Sequence, residues 1–230
     1  MAKKNLVPIA VLIGGGSKLP AIVRASNAKN SNFYISVVVS HKAFSPGIDF
    51  ALSKKIPAIY FKLPDFRKRI YKGKNTARAD FNEKLAWFIT QREYAPKLLV
   101  FAGWDLIMDK NFFKFFKAKI GNGYCAINIH PALMKQKGEV KYITLPDGTK
   151  TEVIKGEQTD VLKTIISQKQ TYYGPSVHFM VATGYDTGLL IKREFIKVPK
   201  NPTIAKLRKN LMPVEDRILV ESINKVVAML

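Results

Sequence analysis

Hydrophobic residues in the first two-thirds of the chain follow two alternating patterns. Short, mostly apolar runs at residues 6–13, 34–40, 58–61, 97–102 and 126–129 predict strands, the longer ones buried on both faces. The first run is closed by glycines, the second carries Val37, Val38 and Val39, and the last is stopped by Pro131. Segments 18–28, 48–55, 80–92 and 111–116 lie between them and fit helices. In 80–92 the apolar residues Phe81, Leu85, Phe88 and Ile89 fall at spacings of 4, 7 and 8, which make one helical stripe. This alternation predicts an α/β fold: a doubly wound, mostly parallel sheet with right-handed crossovers and helices on both faces.

The pattern changes after residue 133. Residues 134–154 mix charged and apolar positions around Pro146-Asp147-Gly148, a turn signal, and predict a β-hairpin insertion behind the strand at 126–129. A helix over 159–168 follows, then strands at 176–182 and 189–198 that would make a mixed sheet edge. Helices are expected at 202–211 and 213–229, with Ile218, Leu219, Ile223, Val226 and Val227 as the core stripe of the second. The expected organisation is a single domain over residues 1–230, with 134–154 as its insertion.

Composition narrows the class. Hydrophobic residues at 47% and charged residues at 24% are a globular balance, which excludes a disordered or fibrous chain. The apolar run near the N-terminus is shorter than the roughly 20 residues of a membrane-spanning helix. Glycines follow it where a secretory cleavage site would lie. One cysteine, Cys125, cannot form an internal disulfide, so a cytoplasmic location is expected. Basic residues number 38 against 17 acidic, a net charge of +21. Of the 38, 30 are Lys and 8 are Arg. Arginine is the residue suited to bidentate base and phosphate recognition, so a lysine surplus fits a solvated surface at least as well as a nucleic-acid face. The densest basic stretch, 62–78, holds seven basic residues with Phe66 and Tyr71. Nucleic acid is not the expected partner.

Three short motifs could carry chemistry. Gly14-Gly15-Gly16-Ser17-Lys18 follows the first strand, where glycines let a ligand approach the backbone and helix-start N–H groups favour an anion. Its spacing is neither that of a P-loop nor a complete dinucleotide fingerprint. Asn128 and His130 are two apart on a strand and so share a face, at the carboxyl end where open α/β sheets bind ligands. An amide donor beside an imidazole suits stabilising an oxyanion and moving a proton. Asp186, in Gly184-Tyr185-Asp186-Thr187-Gly188, is a turn carboxylate that would matter if it approached His130. His178 on a strand reads as structural, and Cys125 as a packing residue. Three scattered histidines and one cysteine give no metal-ligand spacing, so no metal is expected.

In this order the motifs, together with Leu99-Val100-Phe101-Ala102-Gly103-Trp104 and Gly174-Pro175-Ser176-Val177-His178-Phe179, resemble the formyltransferase superfamily over nearly the whole chain. The resemblance is greatest to the branch that acts on glycinamide ribonucleotide. It implies 10-formyltetrahydrofolate as co-substrate, a monomer or homodimer, and direct formyl transfer to an amine in purine biosynthesis. It implies Asn128, His130 and Asp186 as the catalytic trio. Gly16, Ser17 and Lys18 would hold the substrate phosphate, and Met212 and Glu215 would contact the rest of the ribonucleotide. The folate would meet Arg78, then Trp104, Asp105, Leu106, Ile107 and Met108, and Asn128, then Ala182, Thr183, Gly184, Tyr185 and Asp186. The chain departs from the family pattern in three places. The glycine turn is one residue short and ends in Lys18 where Asn is common. Lys155-Gly156-Glu157-Gln158 lacks the histidine of the usual Gly-x-His segment. Glu215-Asp216 stands for Glu-His. Another N-formyltransferase, acting on a sugar nucleotide or methionyl-tRNA, and a non-enzymatic polyanion-binding module are the competing readings.

Overall fold

A computed structural model of the chain describes residues 6–63, 74–116, 124–181 and 188–230, with the side chains of 74–76 excepted. Seven strands form one sheet in the order β10-β9-β5-β4-β1-β2-β3. They are β1 (Val7–Ile13), β2 (Phe33–Ser40), β3 (Ala58–Tyr60), β4 (Leu98–Ala102), β5 (Ala126–His130), β9 (Ser176–Phe179) and β10 (Leu190–Arg193). The five from β3 to β5 pair in parallel, and β9 and β10 extend that edge antiparallel. Chain order moves outward from β1 through β2 and β3, then returns to β4 on β1's other side. The carboxyl ends of β1 and β4 therefore flank a switch point, where doubly wound sheets open a ligand crevice.

The continuous apolar strands have the expected cause. Ile9, Ala10, Val11, Leu12 and Ile13 are all fully buried because both sheet faces are covered. Helices α1 (Leu19–Ser26), α2 (Pro46–Ser53) and α6 (Ile204–Val227) cover one face, meeting Ile9, Val11, Val38 and Val100. Helices α3 (Lys74–Ile89) and α4 (Lys110–Phe113) cover the other, where Phe81, Leu85, Ile89, Phe112 and Phe113 pack on Leu12, Val39 and Phe101. A third cluster joins α5 (Gln158–Ser167) to the first half of α6 through Val161, Leu162, Leu207 and Leu211. Tyr173 joins it, donating its hydroxyl to the Leu207 carbonyl at 2.9 Å.

Three elements differ from the sequence expectation. The two C-terminal helices are one 24-residue helix with Pro213 inside it. A proline there removes a backbone donor at a cost of about 3 kcal/mol. The buried positions Leu207, Leu211, Glu215, Ile218 and Leu219 run across it without a break in spacing, and burying each large apolar side chain contributes about 1.5–3 kcal/mol. The stripe outweighs the proline. The expected strand at 189–198 is split into β10 and β11 (Ile196–Lys197), and β11 pairs with β8 (Tyr172–Tyr173) in a separate ribbon. The expected strand at 176–182 is ordered as strand only to Phe179.

The insertion does contain a hairpin, of two-residue strands β6 (Ile143–Thr144) and β7 (Lys150–Thr151). Arg193 anchors the insertion with a bidentate pair to Glu139, at 2.6 and 2.9 Å, and a third bond to the Met134 carbonyl. This guanidinium holds the Glu139 carboxyl below its ordinary range. Most of the basic stretch 62–78 lies outside the described residues. Among the described residues, no helix is long and apolar enough to cross a membrane.

Candidate active site

The switch point opens into a cleft of about 1100 Å³. Its walls come from the turn after β1, the segment after β4, the end of β5, the middle of β9, the start of α5 and one residue of α6. Of the residues singled out from sequence, Ser17, Lys18, Trp104, Asp105, Leu106, Ile107, Met108, Asn128, His130 and Glu215 line it together. Ala182, Thr183, Gly184, Tyr185 and Asp186 lie outside the described residues. Arg78 on α3 and Gly16 do not line the cleft, and neither does Met212, which is exposed on α6.

The glycine turn is fixed from behind. Gly14 donates to the Gly103 carbonyl at 2.9 Å, which ties the ends of β1 and β4. The Gly14 carbonyl accepts from the hydroxyls of Ser40 at 2.9 Å and Ser45 at 2.8 Å. Gly16 adopts φ +90° and presses on Gly47 at the start of α2, where a Cβ would come within 2.5 Å of the Gly47 Cα. Glycine is needed at Gly16 for both its conformation and its proximity. The N–H groups of Gly15, Gly16 and Ser17 have no acceptor among the described residues.

At the other side stand two histidines and an asparagine. β5 and β9 pair so that Asn128 faces His178 and His130 faces Ser176. Nδ1 of His178 lies 2.9 Å from the Phe179 carbonyl, so it carries the proton and donates. Nε2 is then an acceptor, and it takes a hydrogen bond from the Asn128 amide nitrogen at 3.4 Å. This orients the amide and leaves its second N–H available to a ligand. Nε2 of His130 lies 2.9 Å from the Ile154 carbonyl and donates to it. His130 and His178 are both 3% exposed. His178 is a site residue that sequence reasoning set aside. Its opposition to Asn128 depends on β9 pairing antiparallel to β5, which no local pattern announces.

The segment after β4 is held from the other flank. His41 Nε2 lies 2.6 Å from Asp105 Oδ1, and Lys42 Nζ lies 2.7 Å from Oδ2. The His41 ring meets the edge of Trp104 at a centroid distance of 4.7 Å. Burial lowers the His41 pKa, against the opposing pull of Asp105. Lys155, Gly156, Glu157 and Gln158 also line the cleft, bringing the departed family segment to its mouth. Cys125 is outside the cleft lining, and burial pushes its thiol up, which suits packing.

A formyl transferase family model matches residues 7–223. A phosphoribosylglycinamide formyltransferase of Dictyostelium discoideum is 37% identical over 133 residues, 56% of this chain and 61% of that protein. A chloroplastic phosphoribosylglycinamide formyltransferase of Vigna unguiculata is 26% identical over 93% of this chain and 58% of its own length. The chain thus spans less than two-thirds of the length of these relatives. Among solved structures, glycinamide ribonucleotide transformylase 1 from Symbiobacterium toebii superposes with a TM-score of 0.76 over 98% of this chain and 90% of that one. At 23% identity that likeness shows the shared fold.

Proposed function

The chain belongs to the formyl transferase family, and from that premise we propose that it transfers the formyl group of 10-formyltetrahydrofolate to the amine of glycinamide ribonucleotide. The observation that carries this reading is the convergence of Asn128 and His130, at the end of β5, with the glycine turn and the segment after β4 in one cleft. Such a cleft has room for a folate along one wall and a phosphorylated amine along the other.

The chemistry follows from the groups present. The neutral amine attacks the formyl carbon, forming a C–N bond and a tetrahedral oxyanion. The free N–H of Asn128 and the imidazolium of His130 stabilise that oxyanion. The intermediate collapses by breaking the bond between the formyl carbon and N10 of the folate. The attacking nitrogen loses a proton and N10 gains one, with His130 Nδ1 as the exchanging atom. Asp186, by the family pattern, orients His130 and raises its basicity. The phosphate of the acceptor lies at the cleft's edge beside Ser17, against the N–H groups of Gly15, Gly16 and Ser17 in the turn before α1.

The test is an assay of the purified protein with 10-formyltetrahydrofolate and glycinamide ribonucleotide, following folate absorbance. Formylated product with saturation in both substrates is the expected result. Folate binding without turnover would reject this acceptor and favour another amine. The absence of folate binding would reject the whole reading.

A further inference from the structure

Lys18 sits where the family pattern has an amide side chain, and its surroundings are not those of an anion ligand. The side chain is 7% exposed and its ammonium contacts the carboxylate of Glu215, itself 4% exposed, and Asp216 at 3.4 Å. Glu215 Oε1 accepts from Gln158 Nε2 at 3.2 Å. Gln158 Oε1 accepts from Arg208 Nε at 3.1 Å, and Arg208 also donates to Thr159 at 2.9 Å. The network joins the start of α1, the start of α5 and the middle of α6 across one end of the cleft. Two cations and two carboxylates balance within it.

A buried carboxylate left alone is costly, and the charged form persists only with a close opposite charge and hydrogen bonds. Lys18 supplies that charge to Glu215. The same ammonium cannot also answer a phosphate without leaving Glu215 and Asp216 facing that phosphate uncompensated. The turn offers the phosphate a different partner, the N–H groups of Gly15, Gly16 and Ser17, which have no acceptor among the described residues.

We propose that Lys18 is a positioning residue for Glu215, holding its carboxylate in place on the cleft wall, and is not a ligand of the acceptor's phosphate. This rests on the reading of the turn as the acceptor's phosphate site. It converts two departures from the family pattern, Lys18 and Asp216, into one compensated change. Recognition at this end then separates into a backbone site for the anion and a carboxylate site for the neutral part of the acceptor.

Four proteins test it: the wild type, Lys18→Met, Glu215→Gln and the double variant. Calorimetry with inorganic phosphate as probe reads the anion site. Lys18→Met should weaken phosphate at least about tenfold, because it strips the charge balance behind the turn. The double variant, in which the balance is restored, should return to within about threefold of wild type. A double variant as weak as Lys18→Met would overturn the proposal and make Lys18 a ligand. In steady-state assays Lys18→Met should raise KM for the amine acceptor while KM for the formyl folate stays within about twofold.

Thermal unfolding of the same four proteins needs no activity. The double variant should be less destabilised than the sum of the single changes, and additivity would overturn the pairing of Lys18 with Glu215. Should the wild type fail to bind phosphate while that coupling holds, the phosphate reading of the turn falls and the positioning role stands. If Lys18→Met does not fold, the double variant still decides, because its phosphate affinity is compared directly with wild type.

Discussion

At one end of the cleft Asn128, His130 and His178 project from β5 and β9, and each histidine is locked by a backbone carbonyl. At the other end, the proposed acceptor wall is a glycine turn braced by Ser40, Ser45 and Gly47, with a compensated charge network behind it. The first end keeps the family's residue types and is built from side chains on strands. The second departs at Lys18, Gln158 and Asp216, and by the proposal leaves anion recognition to main-chain groups. Strand-borne side chains have their positions set by sheet register, which tolerates little exchange. A site made of backbone N–H groups survives exchange of the side chains around it, provided burial and charge are rebalanced. On the proposed function, formyl chemistry and acceptor recognition would be separable in this molecule.

The largest effect should come from the chemical end. His130→Ala removes the group proposed to stabilise the oxyanion, and kcat should fall by about a hundredfold or more. Phosphate affinity at the far end should change by less than about twofold. A parallel loss of phosphate binding in a folded His130→Ala protein would break the separation.

A smaller loss is expected at His178. Its Nε2 accepts from the Asn128 amide, and that bond orients the amide toward the cleft. His178→Phe should lower kcat about tenfold, in line with the loss of one orienting hydrogen bond in a catalytic site. Both KM values should hold. A change in KM for the acceptor with kcat intact would place His178 among the binding groups and blur the line between the two ends.

Much of this arrangement was legible in the chain. The buried runs of β1, β2, β4 and β5 announced a doubly wound sheet because strands covered on both faces need no polar alternation. The i, i+2 spacing of Asn128 and His130 placed both on one face at a strand end. The family resemblance implied Lys18 as a holder of the phosphate, and its ion pairs with α6 were not legible beside it. Its partners Glu215 and Asp216 lie almost 200 residues away and reach it only through the packing of α6 on α1. His178 was hidden for the same reason, since its role depends on register between non-consecutive strands. Pro213 misled the helix boundary because a local breaker signal was outweighed by a tertiary stripe.

The smallest effect tests the outer flank of the first end, where His41 and Lys42 hold Asp105 beside the proposed folate wall. Burial is the largest influence on His41, ahead of Asp105, and its folded pKa lies below the ordinary 6.5. The fold therefore favours the neutral ring, whose Nε2 lies beside one Asp105 oxygen while Lys42 answers the other. Because the folded pKa is depressed, this contribution to stability is complete above pH 6.5 and is lost as pH falls through the folded value. Three groups face the ring: Asp105 opposes the depression, Lys42 adds to it, and the edge of Trp104 carries no charge. Wild type should therefore lose Tm from this residue as pH falls from 7 to 5. His41→Gln keeps a donor to Asp105 and cannot titrate, so its Tm should fall less over that interval. Phosphate affinity at the acceptor end should keep the same pH dependence in both proteins. Equal acid sensitivity of Tm in His41→Gln would show that the flank is held by Lys42 alone.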